Sequence, residues 1–151
     1  MARVVPLVLL FCLTLFSAGV DPFTGTWKLD ESKVKPAANA LALQSLRIDA
    51  DQSRVTIFYQ GTGDKGAPRE WKVAADFGGN DSGVLGSQEF DSVKCWRPDP
   101  HTILLKLSRQ AQSVGWETLE AQKNGKTLRV TRAVPDANGK EVKTILWFDK
   151  Q

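Results

Sequence analysis

The sequence has few of the residues that most often build catalytic or cross-linked sites: two cysteines, one histidine and one tyrosine in 151 residues. With a single histidine and no Gly-x-Ser-x-Gly motif, a hydrolytic triad has no support. One histidine with one cysteine is also too small a ligand set for a structural metal site. We therefore expect a protein that is not an enzyme and that carries neither a metal nor a cofactor.

Concentrated charge is also lacking. The chain has 20 lysines and arginines against 17 acidic residues, and it contains no run of five basic residues. A basic patch for nucleic acid or for an anionic membrane surface is therefore not predicted. The apolar content of 42% is typical of a folded domain and argues against disorder. We expect a soluble monomer that binds no nucleic acid.

The longest apolar run lies at the N-terminus and predicts export. Met1–Arg3 form a basic start, Val4–Phe16 form an apolar run of about 13 residues, and Ser17-Ala18-Gly19 supply small residues for signal peptidase. This run is too short to span a bilayer. We predict a cleaved Sec-type signal peptide over residues 1–19 and a periplasmic or secreted protein that begins at Val20, with a retained membrane anchor as the alternative.

Cysteine use follows from this cleavage. Cys12 would leave with the signal peptide, so Cys95 would have no intramolecular partner. We predict that Cys95 is a small buried residue of a strand, because free cysteine is among the most buried residue types. The alternative is a redox-active or intermolecular thiol.

The chain beyond residue 20 is a series of short strand patterns separated by turn signals. Apolar residues alternate with polar ones, as at Trp71, Val73 and Phe77, which indicates antiparallel sheet with one buried face. Turn signals such as Asn124-Gly125 recur roughly every 8 to 15 residues, the spacing of an all-β sandwich or barrel. Ten strands are predicted, near residues 23–30, 42–49, 53–60, 68–77, 83–89, 91–97, 101–109, 113–122, 126–134 and 140–149.

Strand number and order favour a single up-and-down antiparallel β-barrel over residues 20–151, with a β-sandwich as the alternative. Closure removes both sheet edges, and a barrel of eight or more strands can hold a small ligand. The last strand, Val142 to Phe148, is apolar on both faces, so we expect it to pair with the first strand and to be buried on both sides. Helical potential is confined to residues 31–42, where Ala37 to Leu43 could form one or two turns.

Motifs at both ends of the domain carry a family resemblance. The segment Asp21-Pro22-Phe23-Thr24-Gly25-Thr26-Trp27-Lys28-Leu29 resembles the opening of bacterial lipocalin-like secreted proteins and of fatty-acid-binding proteins. The ending Trp147-Phe148-Asp149-Lys150-Gln151 is similar to the close of both groups. The resemblance implies a calycin-like barrel of about eight to ten strands. It assigns to Trp27 the role of closing the base of the barrel.

The carboxylate clamp of fatty-acid-binding proteins has no counterpart here. In that family an Arg-x-Tyr pair on the last strand often holds the ligand carboxylate, and the matching positions are Leu146 and Phe148. We therefore expect an uncharged or weakly polar ligand. Arg132 lies in phase with Leu128 and Val130, so it either points inward as an anion contact or reaches solvent from the end of its strand.

Two functions fit these patterns. The first is an exported barrel that binds a small hydrophobic or amphipathic ligand in its lumen. The second is a protein-binding module of the cell envelope, such as a β-barrel inhibitor, with a filled core and functional loops. The predicted ligand-binding residues are Tyr59, Trp71, Val73, Phe77, Leu105, Leu107, Val130, Arg132, Leu146 and Phe148.

Overall fold

The computed structural model describes residues 19–34 and 42–151, and these residues form a closed antiparallel barrel. The strands are β1 Gly25–Leu29, β2 Leu43–Ala50, β3 Arg54–Thr62, β4 Pro68–Asp76, β5 Ser82–Leu85, β6 Ser92–Asp99, β7 Thr102–Arg109, β8 Gln112–Ala121, β9 Thr127–Pro135 and β10 Glu141–Lys150. Each strand pairs with the next one along the chain, and β10 closes the ring against β1. The predicted up-and-down barrel is confirmed, and the β-sandwich alternative is wrong.

The predicted strand boundaries agree with the structure within a few residues, except in β5. The sequence predicted a strand near residues 83–89, but β5 ends at Leu85. Gly86 follows with a φ of 86°, and a Cβ there would lie 2.6 Å from the carbonyl oxygen of Glu70. The chain therefore turns away from β4 at a position where only glycine fits.

Helical structure is slight in the described residues. Glu31–Lys33 and Asp64–Gly66 form short 3-10 turns. The helical turns predicted from Ala37 onward fall almost wholly on residues outside the described ranges, and so does the predicted signal peptide up to residue 18. Both stay predictions. The described residues include no helix of the length and apolarity needed to cross a membrane.

The alternation seen in the sequence produces one apolar core inside the barrel. Buried and less buried residues alternate along β3, β4, β7 and β9. The largest fully buried side chains are Trp27, Tyr59, Phe23 and Phe148. Removing such surface from water stabilises the fold by roughly 25 cal/mol per Å2.

The last strand departs from its prediction in one respect. β10 pairs with β1 as expected, and Leu146 and Phe148 are buried. Ile145 on the opposite face is 44% exposed, and Trp147 is half-buried. The prediction that both faces are buried is wrong, because a barrel has one interior and its outer surface faces solvent.

One end of the barrel, which we call the base, is closed by the segment that precedes β1. The side chain of Phe23 is fully buried, and the indole N–H of Trp27 donates to the carbonyl oxygen of Phe23 at 2.8 Å. Arg97 binds the carboxylate of Asp21 at 2.6 Å and lies 5.5 Å from the ring centroid of Phe23. Trp27 therefore occupies the position at the base that the family resemblance assigned to it. The opposite end, where β2 begins and β3 ends, is the mouth.

Candidate functional site

Three polar side chains meet inside the barrel, and we call them the polar triad: Tyr59 on β3, Glu117 on β8 and Arg132 on β9. The Tyr59 hydroxyl donates to Oε1 of Glu117 at 2.6 Å. Arg132 donates from Nε to Oε2 of Glu117 at 2.8 Å, and its Nη2 donates to the same oxygen. All three residues are buried.

Strand register explains why Glu117 and Arg132 meet. Glu117 is in phase with the buried residues Leu119 and Ala121, and it stands directly opposite Arg132 in the β8–β9 pair. Directly opposed residues of an antiparallel pair project from the same face of the sheet. Of the two orientations considered for Arg132, the structure therefore shows the inward one.

The buried charges of Glu117 and Arg132 are paired and hydrogen-bonded within the polar triad. A charge buried away from water is costly unless it is paired and hydrogen-bonded. Both carboxylate oxygens of Glu117 accept hydrogen bonds, and Arg132 supplies the counter-charge. Burial, followed by the charge of Glu117, raises the pKa of Tyr59 well above its usual value. The Tyr59 hydroxyl is therefore held in its protonated, donating form.

Two aromatic rings stand beside the polar triad. Tyr59 and Trp71 are opposed across the β3–β4 pair, and their rings stack with centroids 4.9 Å apart and planes inclined by 8°. The guanidinium of Arg69 lies 5.5 Å from the Trp71 ring centroid and forms an ion pair with Glu89. The Trp71 indole N–H is buried and has no hydrogen-bond partner in the part of the chain that is described.

The segment between β5 and β6 covers the polar triad from the mouth side. Its Phe90 side chain is buried, and Arg132 lies 5.6 Å from the Phe90 ring centroid. Ser87 Oγ fixes the turn by accepting hydrogen bonds from the amides of Glu89 at 3.2 Å and Phe90 at 3.3 Å. The Phe90 ring therefore covers the guanidinium of Arg132.

The mouth exposes apolar surface on the inward face of the sheet. Val134 and Val142 are opposed in the β9–β10 pair, in phase with the inward residues Arg132 and Leu146. Val142 is nevertheless 44% exposed, and Val134 is only half-buried. Val142 therefore exposes apolar surface in phase with the inward face at this end.

The predicted ligand-binding residues lie in the interior with one exception. Those that are buried there are Tyr59, Trp71, Val73, Leu105, Leu107, Val130, Arg132, Leu146 and Phe148. Phe77 follows the end of β4 and is half-buried at the base, 5.5 Å from the guanidinium of Arg97. Phe77 packs against the buried core from this position, and its assignment as a ligand-binding residue, like that of the others, stays a prediction.

Two residues of this site were missed from the sequence. Glu117 could have been found, since it shares its phase with Leu119 and Ala121 on a strand that was predicted. Phe90 carries no such signal, because it lies between two strands and its burial depends on how the 86–91 segment folds over the barrel.

The thiol of Cys95 and the imidazole of His101 lie in different surroundings, one buried and the other exposed. Cys95 is fully buried, as predicted, and no disulfide joins it to another described residue. Burial raises its pKa to about 12. His101 lies exposed in the turn between β6 and β7. Among residues 19–34 and 42–151, no three histidine, cysteine or acidic residues are grouped so as to hold a metal ion.

A groove of about 500 Å3 lies on the outer face of the barrel. Arg47, Phe58 and Lys72 stand side by side there on β2, β3 and β4. The guanidinium of Arg47 lies 4.3 Å and the ammonium of Lys72 5.1 Å from the Phe58 ring centroid. Neither cation forms a salt bridge with a described residue. Phe58 interrupts the apolar alternation of β3 because it belongs to this outer row.

No protein-family model matches the chain, and no curated protein matches it. One solved structure that is similar is a redesigned β-barrel. It is 10% identical in sequence with a TM-score of 0.42, over 87% of this chain and 93% of that one.

Proposed function

We propose that this barrel binds a small hydrophobic or amphipathic molecule in the mouth half of its lumen. The observation that carries the proposal is the difference between the two ends. Phe23 and Trp27 are fully buried at the base, whereas at the mouth Val142, in phase with the inward residues, is 44% exposed and Val134 is half-buried. A molecule that enters past this rim would meet the Tyr59–Trp71 stack beside the polar triad.

The charges of the interior favour a neutral ligand. Arg132 is compensated by Glu117 and therefore offers no unpaired cation to a carboxylate. Leu146 and Phe148 add apolar surface where a fatty-acid binder would carry its clamp. Burial of apolar ligand surface would yield roughly 25 cal/mol per Å2, less the cost of association. An uncharged or weakly polar molecule is the ligand class that fits.

Access to this site would need movement of the segment that carries Phe90. The segment follows β5, which pairs with β4 through Lys72 and Val73 alone and is only four residues long. The Arg69–Glu89 ion pair joins the same segment to β4. We propose that the segment carrying Phe90 moves, because β5 forms so few pairs with β4 that local opening costs little free energy.

The proposal is tested by titrating the folded protein with a neutral fluorescent apolar probe. We expect one probe per chain, quenching of tryptophan emission, and equal or weaker binding of the anionic form of the probe. The variant Val130→Trp, which adds bulk to the interior, should weaken binding, whereas Leu85→Ala on the outer surface should not. If no apolar probe binds the folded protein, the proposal is wrong.

A protein-binding module is the second candidate, and two observations favour it. The Tyr59–Glu117 hydrogen bond crosses the interior and fills part of it. The outer groove presents Arg47 and Lys72 without acidic partners beside Leu85, which is 69% exposed. Charge reversal at Arg47 and Lys72 discriminates the two, since it should leave probe binding unchanged if the lumen is the functional site.

We also propose that the protein is exported and has no enzymatic activity. The sequence of residues 1–19 supports cleavage before Val20. N-terminal sequencing of the mature protein should begin at or near Val20. An intact Met1 in the exported pool would contradict this part of the proposal.

A further inference from the structure

Trp71 carries an unusual unsatisfied group. Its indole Nε1 is the one buried side-chain nitrogen or oxygen in residues 19–34 and 42–151 without a hydrogen-bond partner. The residue is 3% exposed and belongs to the inward-facing row of β4. A buried donor without a partner is costly, and such groups in native proteins call for an explanation.

The neighbouring polar side chains do not supply the missing acceptor. Both oxygens of Glu117 already accept hydrogen bonds, from Tyr59 and from Arg132. Arg69, whose guanidinium lies over the Trp71 ring, has donors only, and the carboxylate of Glu89 is engaged by it. None of these side chains is the partner of the indole N–H.

We infer that the Trp71 indole N–H anchors the ligand, which carries an uncharged hydrogen-bond acceptor such as a carbonyl, ester or ether oxygen. This inference rests on the proposed lumen function. Because an indole N–H only donates, the ligand group must accept. The group is uncharged because Arg132 and Arg69 are each neutralised by a carboxylate. The stacked ring of Tyr59 holds the Trp71 ring in place, so little ordering is required on binding.

The test compares two neutral probes of nearly the same shape. Acetylnaphthalene carries a carbonyl oxygen, and in isopropenylnaphthalene a methylene group replaces that oxygen. The protein should bind the ketone about 3- to 10-fold more tightly, the factor expected for one hydrogen bond. In Trp71→Phe, which keeps an aromatic ring without the N–H, this preference should vanish. Trp116→Phe on the outer surface is the matched control and should keep it.

Two further measurements separate the possible outcomes. The indole N–H resonance of Trp71 should shift on addition of the ketone and much less with the hydrocarbon, a readout that needs no variant to fold. Urea denaturation of ligand-free Trp71→Phe checks that this variant is folded when its probe preference is measured. Equal binding of both probes by the unmodified protein overturns this inference alone. Failure of both probes to bind overturns the proposed lumen function with it.

Discussion

The hydroxyl of Tyr59 and the carboxylate of Glu117 join opposite walls of the barrel by a hydrogen bond of 2.6 Å. Tyr59 lies on β3 and Glu117 on β8, five strands apart in either direction around the ring. The two residues are 58 positions apart in the chain. This contact fixes the spacing of two walls that no sheet hydrogen bond connects, and Arg132 compensates the charge it brings inside.

We predict that breaking the polar triad is costly, whereas replacing it entirely is not. Glu117→Gln removes the counter-charge of buried Arg132 and should lower the free energy of unfolding by about 3–5 kcal/mol in urea denaturation. The combined variant Tyr59→Phe, Glu117→Leu and Arg132→Met removes every polar member and should recover most of this loss.

The outer surface provides the control for this prediction. Glu120 forms a comparable ion pair with Arg129, but both side chains are partly exposed. Glu120→Gln should cost no more than about 1 kcal/mol. A combined interior variant as unstable as Glu117→Gln alone would show that the triad contributes more than a compensated charge.

We predict that Tyr59 does not ionise near its usual pH in the folded protein. It is the only tyrosine in the chain, so ultraviolet absorbance of tyrosinate reports on it alone. Its pKa is raised by burial and by Glu117, so the folded state holds the proton more tightly than the unfolded state. The associated stability is present below the ordinary pKa of 10.0 and is lost as the pH rises above it. Native tyrosinate absorbance appearing near pH 10.0 would contradict the buried hydrogen bond.

We predict slow reaction of Cys95 with thiol reagents in the native protein and fast reaction in denaturant. The thiol is buried, and its pKa of about 12 keeps the reactive thiolate scarce. Because the folded pKa is raised from 9.0, stability should fall with rising pH between 9.0 and about 12, by up to roughly 1.4 kcal/mol per pH unit. Rapid labelling of Cys95 in the native protein, or a disulfide-linked dimer, would contradict this interpretation.

We predict that the closed base depends on the Trp27 indole. Trp27→Phe leaves the carbonyl of Phe23 without its 2.8 Å hydrogen bond inside a buried site. The free energy of unfolding should fall by about 1–3 kcal/mol. Trp116, which is 38% exposed on the outer face, gives the matched control, and Trp116→Phe should stay within about 0.5 kcal/mol. Equal effects of the two substitutions would mean that the base is not sealed by Trp27.

Local patterns determined most of the fold. Alternation of apolar and polar residues located ten strands and their inward faces, because side chains of a strand project to opposite sides at every step. The same phase was enough to predict the burial of Trp71 and Val130, and the usual burial of free cysteine predicted that of Cys95. The phase of β8 also predicts that Glu117 points inward, because the alternation of a strand sets the direction of each side chain whatever its chemistry.

Tertiary structure decided which inward residues meet. The sequence left Arg132 open between solvent and interior, and only the register of β9 against β8 placed it on Glu117. That Tyr59 reaches Glu117 depends on the number of strands and their stagger, which set the width of the barrel. The burial of Phe90 and the exposure of Ile145 likewise follow from how the closed sheet presents its inner and outer surfaces. The alternation along a strand determines which face of the sheet each side chain lies on. Closure of the sheet into a barrel determines which residue it meets across the interior.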